Sequence, residues 1–152
     1  MTSEDRQRAR QELESLLMDY WHDVDTNWGR NAADYYTDDA VFESTHASYH
    51  GKEKIRAFYQ YRLDRGPRVA VHSVSNFRVV LESPTRAICN WYLFLYAQDG
   101  EPILPTNPPI QIAHMTDVCA KQPDGRWLYE HRKFDAWFVG GVPTTNPNLD
   151  DK

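Results

Sequence analysis

Long hydrophobic runs are missing from this sequence of 152 residues. The longest, 91–97, falls far short of the roughly 20 residues that a membrane-spanning helix needs. Clusters of positive charge are missing too. Lys and Arg are scattered through a chain of net charge −5 and pI near 5.6, so the basic stripe that nucleic acid requires is excluded. The charged stretch 1–11 lacks the apolar core of a secretory signal, and a cytoplasmic protein is expected. Cysteine is scarce. Cys89 and Cys119 fall in predicted strands and read as buried free thiols, which suits a reducing compartment, and their number and spacing point to no zinc site. His46 and His50 stand four apart near Glu43, but their neighbours read as loop, where that spacing does not align ligands; no metal is expected. No glycine-rich phosphate loop and no Gly-x-Ser-x-Gly elbow occurs.

Aromatic residues, in contrast, are plentiful. Five Trp, nine Tyr and six Phe are enough to build a core, and equally to line a pocket for a flat, apolar ligand. The length suits one domain, expected over 1–142 with a flexible or partner-bound tail at 143–152. Leu13, Leu16, Leu17, Tyr20, Trp21 and Val24 recur at helical spacing and predict a helix over 4–28, capped by Ser3 and ended by Gly29. A short helix over 32–36, broken at Thr37-Asp38-Asp39, a short strand over 41–43 and a helix over 52–63 follow. After Pro67 the period becomes strand-like. Segments 68–81, 85–97, 110–121 and 127–139 are rich in Val, Ile, Thr and aromatics and are separated by turn sequences. Helices followed by four long strands predict an α+β fold: a curved antiparallel sheet wrapped around the N-terminal helices as a cone. Residues 102–109 hold four prolines and read as a stiff loop, either a lid or a plain connector.

Two polar residues interrupt apolar patterns. Asp25 lies on or beside the apolar stripe of the first helix, where an unpaired carboxylate is costly to bury. His72 stands inside Val69-Ala70-Val71-His72-Ser73-Val74. Taken singly, Asp25 could satisfy helix-end backbone and His72 could be a core histidine. Taken together they form a candidate acid/base dyad, the carboxylate raising the basicity of the imidazole and fixing its tautomer, provided the helix crosses the concave face of the sheet. Trp21, Phe42, Phe58 and Trp91 are candidate pocket walls. Asn76, four residues after His72 on an unbulged strand, would share its face and reach a ligand oxygen or satisfy backbone. Arg132 would meet an anionic substrate or solvent.

The blocks Tyr20-Trp21-His22-Asp23-Val24-Asp25, Tyr36-Thr37-Asp38-Asp39-Ala40-Val41-Phe42, Gly51-Lys52-Glu53, His72-Ser73-Val74-Ser75-Asn76 and Asp124-Gly125-Arg126-Trp127 resemble the SnoaL-like family over about residues 10–138. The resemblance is strongest to its branch of scytalone dehydratase and hexachlorocyclohexane dehydrochlorinase. It implies a cone-shaped fold, no cofactor, and a catalytic aspartate and histidine matching Asp25 and His72. It also suggests His114 as an assisting histidine, after a one-residue shift, and Tyr20 as a carbonyl-holding tyrosine; core packing is the alternative for both. The tyrosine of the family's short strand has no match here, since Val41-Phe42-Glu43 stands there. The expected activity is that of a lyase or isomerase acting on a small cyclic apolar substrate by proton abstraction from carbon. A polyketide-cyclase or hydroxylase type of chemistry and a non-catalytic role, as a ligand-binding module or a dioxygenase small-subunit type of protein, are the alternatives. No nucleic-acid or membrane partner is expected. A homo-oligomer is, because the helices can cover only one face of the sheet.

Overall fold

The first helix begins on a capping box. Thr2 Oγ1 accepts from the Asp5 N–H at 3.0 Å and the Asp5 carboxylate accepts from the Thr2 N–H at 2.9 Å, one residue earlier than the Ser3 cap the sequence predicts. In this computed structural model, which describes residues 1–140, helix α1 spans Ser3–Asn27 and buries Leu13, Leu17, Tyr20 and Trp21. It ends through Trp28 and Gly29, both in the left-handed region at φ 62° and 69°. A 3-10 turn, Ala32–Tyr35, leads into strand β1, Tyr36–Glu43. Strand β2, Ser48–His50, then pairs back on β1, where the sequence reads as loop; three residues are too few for a strand period to show. Helix α2, Lys52–Asp64, is followed by the long strands β3 (Arg68–Ser83), β4 (Arg86–Asp99), β5 (Gln111–Lys121) and β6 (Trp127–Val139).

The sheet runs in the order β2-β1-β6-β5-β4-β3 and is not closed. The meander from β3 to β6 is antiparallel, as predicted, but β6 meets β1 in parallel, so the sheet is mixed. Periodicity within each strand carries no information on how the last strand meets the first. On β4 every second residue from Ala87 to Ala97 is buried, which is the mark of a sheet with one face against helices. No helix among the described residues is long and apolar enough to cross a membrane. The tail expected at 143–152 lies outside the described residues.

Two bulges decide which side chains face inward. On β3, Ser75 pairs with Tyr92 and Arg78 with Asn90, so one residue is extra and the inward set changes from Ala70, His72 and Val74 to Phe77, Val79 and Leu81. Asn76 occupies that bulge with φ 55° and is exposed. On β6, Tyr129 pairs with Cys119 and His131 with Val118, which leaves Glu130 extra and turns both Tyr129 and Arg132 inward.

Candidate active site

Helix α1 crosses the concave face of the sheet and brings Asp25 to strand β3, the condition on which the dyad depended. The Asp25 carboxylate takes two hydrogen bonds from one residue: Oδ1 lies 2.6 Å from His72 Nδ1, and Oδ2 accepts the His72 backbone N–H at 2.9 Å. The second bond exists because β3 is an edge strand, whose outward N–H groups have no ladder partner. A carboxylate only accepts, so Nδ1 carries the proton and Nε2 presents its lone pair. The Trp21 indole stacks on the imidazole at 4.0 Å and 5° and holds its plane. Burial lowers the pKa of His72 below 6.5; the Asp25 contact opposes this, and Arg68 and Arg62 add to the lowering. His72 is therefore neutral at neutral pH and ready to accept a proton.

Both members of the pair line an open-sided cavity of about 100 Å³. Helix α1 contributes Trp21 and Val24, and its C-cap Trp28; β1 contributes Phe42 and the loop after it Ser44, Thr45 and His46; α2 contributes Phe58, Tyr59 and Arg62. The remaining wall comes from Arg68, Ala70 and His72 on β3, Leu95 on β4, Gln111 on β5 and Phe134 on β6. Among the described residues no cluster of His, Cys, Asp or Glu is placed to hold a metal ion.

Of the ten site residues read from the sequence, the structure brings together Asp25, His72, Trp21, Phe42 and Phe58. The other five do not line the cavity. Tyr20 lies in the core beneath it, fully buried and hydrogen-bonded to Tyr36 at 2.8 Å and to Tyr59, which itself reaches the cavity. Trp91 is also core, donating its indole N–H to Asp117 at 2.8 Å. Arg132 meets neither substrate nor solvent: it is completely buried and grips Asp117 with two bonds of 2.8 and 3.0 Å. His114 is on the outer face of the sheet, stacked on Trp137 at 5.3 Å and beside Tyr92, because its neighbours Ala113 and Met115 take the inward positions. Asn76 sits on the bulge, is exposed and does not line the cavity. The proline-rich stretch 102–109 places no residue on the cavity either; Leu104 packs over Gly100 and the Pro105 carbonyl accepts from the Gln98 amide at 2.5 Å.

Sequence reasoning missed Arg62, Arg68, Tyr59, Trp28, Gln111 and Phe134. Arg62 and Arg68 flank the Arg65-Gly66-Pro67 turn, and a turn in sequence gives no sign that its two ends open into a cavity.

The chain is similar in structure to the proposed scytalone dehydratase of Novosphingobium aromaticivorans, at 15% identity and a TM-score of 0.82 over 97% of this chain and 96% of that one. LinA, a hexachlorocyclohexane dehydrochlorinase, superposes with a TM-score of 0.74 at 22% identity, over 97% of this chain and 100% of its own. ActVI-ORFA of Streptomyces coelicolor superposes with a TM-score of 0.71 at 17% identity, over 85% and 98%. At these identities the likeness establishes the cone-shaped fold. No curated protein matches the chain. The family model of the SnoaL-like domain matches residues 5–133, most of the sequence, and the chain belongs to that SnoaL-like family.

Proposed function

We propose that the protein is a cofactor-independent lyase or isomerase that removes a proton from carbon in a small cyclic substrate. His72 Nε2 is the general base, and Asp25 orients the imidazole and stabilises the imidazolium that forms. The base then returns its proton, either to a leaving hydroxyl or halide on the neighbouring carbon or to another carbon of the ring. The observation that carries this reading is the two-point grip of Asp25 on His72, at 2.6 and 2.9 Å, in the wall of an aromatic cavity. Trp21, Phe42 and Phe58 offer flat apolar surfaces to a ring, and the flanking Trp21 face also favours the imidazolium.

Deuterium exchange tests it without the natural substrate. In heavy water the protein should catalyse exchange at the acidic C–H of a bicyclic ketone such as 2-tetralone, followed by NMR. His72→Ala should lower that rate on the order of 10²–10⁴-fold while ligand binding stays measurable. Full exchange in His72→Ala would place the base elsewhere. A homo-oligomer belongs to the same reading, because the face of the sheet away from the helices exposes Tyr96, Trp137 and Phe138. A single monomeric species at micromolar concentration in sedimentation velocity would remove it.

A further inference from the structure

Gln111 opens strand β5 at an inward position, followed on the same face by the apolar Ala113 and Met115. It is 9% exposed and lines the cavity, and its side-chain amide makes no hydrogen bond among the described residues. Its polar neighbours in the wall are committed: Asp25 and His72 hold each other, and Ser44 Oγ is bonded to Ala47. The Trp21 indole nitrogen is unpartnered too, but it is sealed from any ligand. A primary amide carries two N–H donors and a carbonyl acceptor, and burying them unmatched is unfavourable. In a cavity wall, the group that matches them is a ligand.

Strand register places that amide with respect to the base. His72 on β3 pairs with Leu95 on β4, and Leu95 pairs with Gln111 on β5. The three residues form one row across three adjacent strands, and all three line the cavity. Two strand spacings put the Cα atoms of His72 and Gln111 roughly 10 Å apart, with Leu95 as the floor between them. A ring lying on Leu95 therefore meets the imidazole on one side and the amide on the other. Proton abstraction gives that second side a task. A C–H becomes acidic enough for an imidazole when the developing charge can move to the oxygen of an adjacent carbonyl. A fixed N–H donor at that oxygen stabilises the enolate more than the ketone.

We propose that Gln111 is the hydrogen-bond donor to a substrate carbonyl, so that the substrate is a cyclic ketone whose acidic C–H adjoins that carbonyl. His72 Nε2 takes the proton, the C–H electron pair forms the C=C bond of the enolate, and the carbonyl π pair moves onto the oxygen. The Gln111 amide stabilises that oxygen and keeps its own proton. When the enolate collapses, the oxygen pair re-forms the carbonyl, and the proton passes from His72 to carbon or to a leaving hydroxyl. This specifies the substrate class of the proton-abstraction reading and rests on it for the chemistry, but ketone recognition is measurable without turnover.

NMR titration with 2-tetralone and with tetralin, the same ring system without the oxygen, tests the assignment. Gln111→Met, an apolar side chain of similar length, should weaken 2-tetralone binding about tenfold, equivalent to about 1.4 kcal/mol. Tetralin affinity should stay within about twofold, which checks that the variant folds. In the wild type, the Gln111 side-chain N–H signals should move downfield with 2-tetralone and not with tetralin, a reading that needs no variant. Exchange of the 2-tetralone C–H should fall on the order of 10²-fold in Gln111→Met. Equal losses for the two ligands, an unchanged 2-tetralone affinity in the variant, or no 2-tetralone binding at millimolar concentration would each overturn the proposal. His72→Ala should lose exchange and keep the N–H shift. A wild-type protein with the N–H shift and the ketone-specific loss that never exchanges a C–H would reject the catalytic reading and leave Gln111 as the ketone anchor. Exchange that depends on His72 but is unchanged in Gln111→Met would overturn the role of Gln111 and leave the base in place.

Discussion

At the scale of single residues, the site turns on the balance around His72. Burial and two arginines push its pKa down and Asp25 pushes it up, with the net value below 6.5. The acid limb of kcat/KM, which reports deprotonation of the free-enzyme base, should therefore have its midpoint below 6.5. Asp25→Asn removes the opposing contact, so it should move that midpoint lower still and cost about 10²-fold or more in rate, because the imidazole loses its fixed tautomer. An unmoved midpoint would separate His72 from the acid limb. Stability follows the same sign. The unfolded histidine takes a proton near 6.5 that the folded one resists, so the contribution is full above that pH and is lost as pH falls through the folded value. His72→Gln should flatten that part of the urea-midpoint profile. Each member was legible in the sequence as a polar residue in an apolar period, but their pairing came from the resemblance to the SnoaL-like family and stayed conditional on the helix crossing the sheet, because separation along the chain carries no distance.

At the scale of elements, the sequence reads well wherever one period persists and poorly wherever a strand changes register. Asn76 shows why. Four residues after His72 means the same face only on a regular strand, and the bulge at Asn76 hands the inward positions to Phe77, Val79 and Leu81 instead. His114 and Arg132 fail for the same kind of reason: one residue of parity separates the cavity side from the outer face, and a bulge at Glu130 turns Arg132 into the core. Asn76 therefore has a backbone role. Its φ of 55° suits Asn or Gly and disfavours a β-branched residue, so Asn76→Val should destabilise the protein by about 1–2 kcal/mol and Asn76→Gly should be nearly neutral. Urea unfolding measures both, and the rate of 2-tetralone exchange should be unchanged in each; a specific loss of exchange in a folded variant would return Asn76 to the cavity. Gly29 makes the companion case at the end of α1. With φ 69° and a position where a Cβ would run into the Tyr59 ring, it lets α1 approach α2 closely. Because Tyr59 lines the cavity, the same close approach sets the spacing between Asp25 and the α2 wall.

At the scale of the whole molecule, one buried cation joins the sheet to the helix that carries the dyad. Arg132 on β6 is held by Asp117 on β5, which also accepts from Trp91 on β4. The guanidinium lies 4.5 Å from the Tyr20 ring centroid and 5.3 Å from that of Trp21, both on α1, and 4.1 Å from that of Tyr129. Trp21 in turn carries the His72 ring. The pair therefore sits between the core and the floor of the site, although it touches no ligand space. Removing one partner leaves the other charged and buried with nothing in place of water, so Asp117→Asn should cost about 3–5 kcal/mol, read as a fall in the urea midpoint. Joint replacement by apolar residues of similar volume, Asp117→Leu with Arg132→Met, removes both desolvation penalties and should cost much less than the sum of the single changes. The joint variant also loses the ring contacts that fix Trp21. A recovered urea midpoint with exchange activity still reduced would show that this core cation positions the indole beneath His72. Full recovery of both would confine the pair to holding the sheet together.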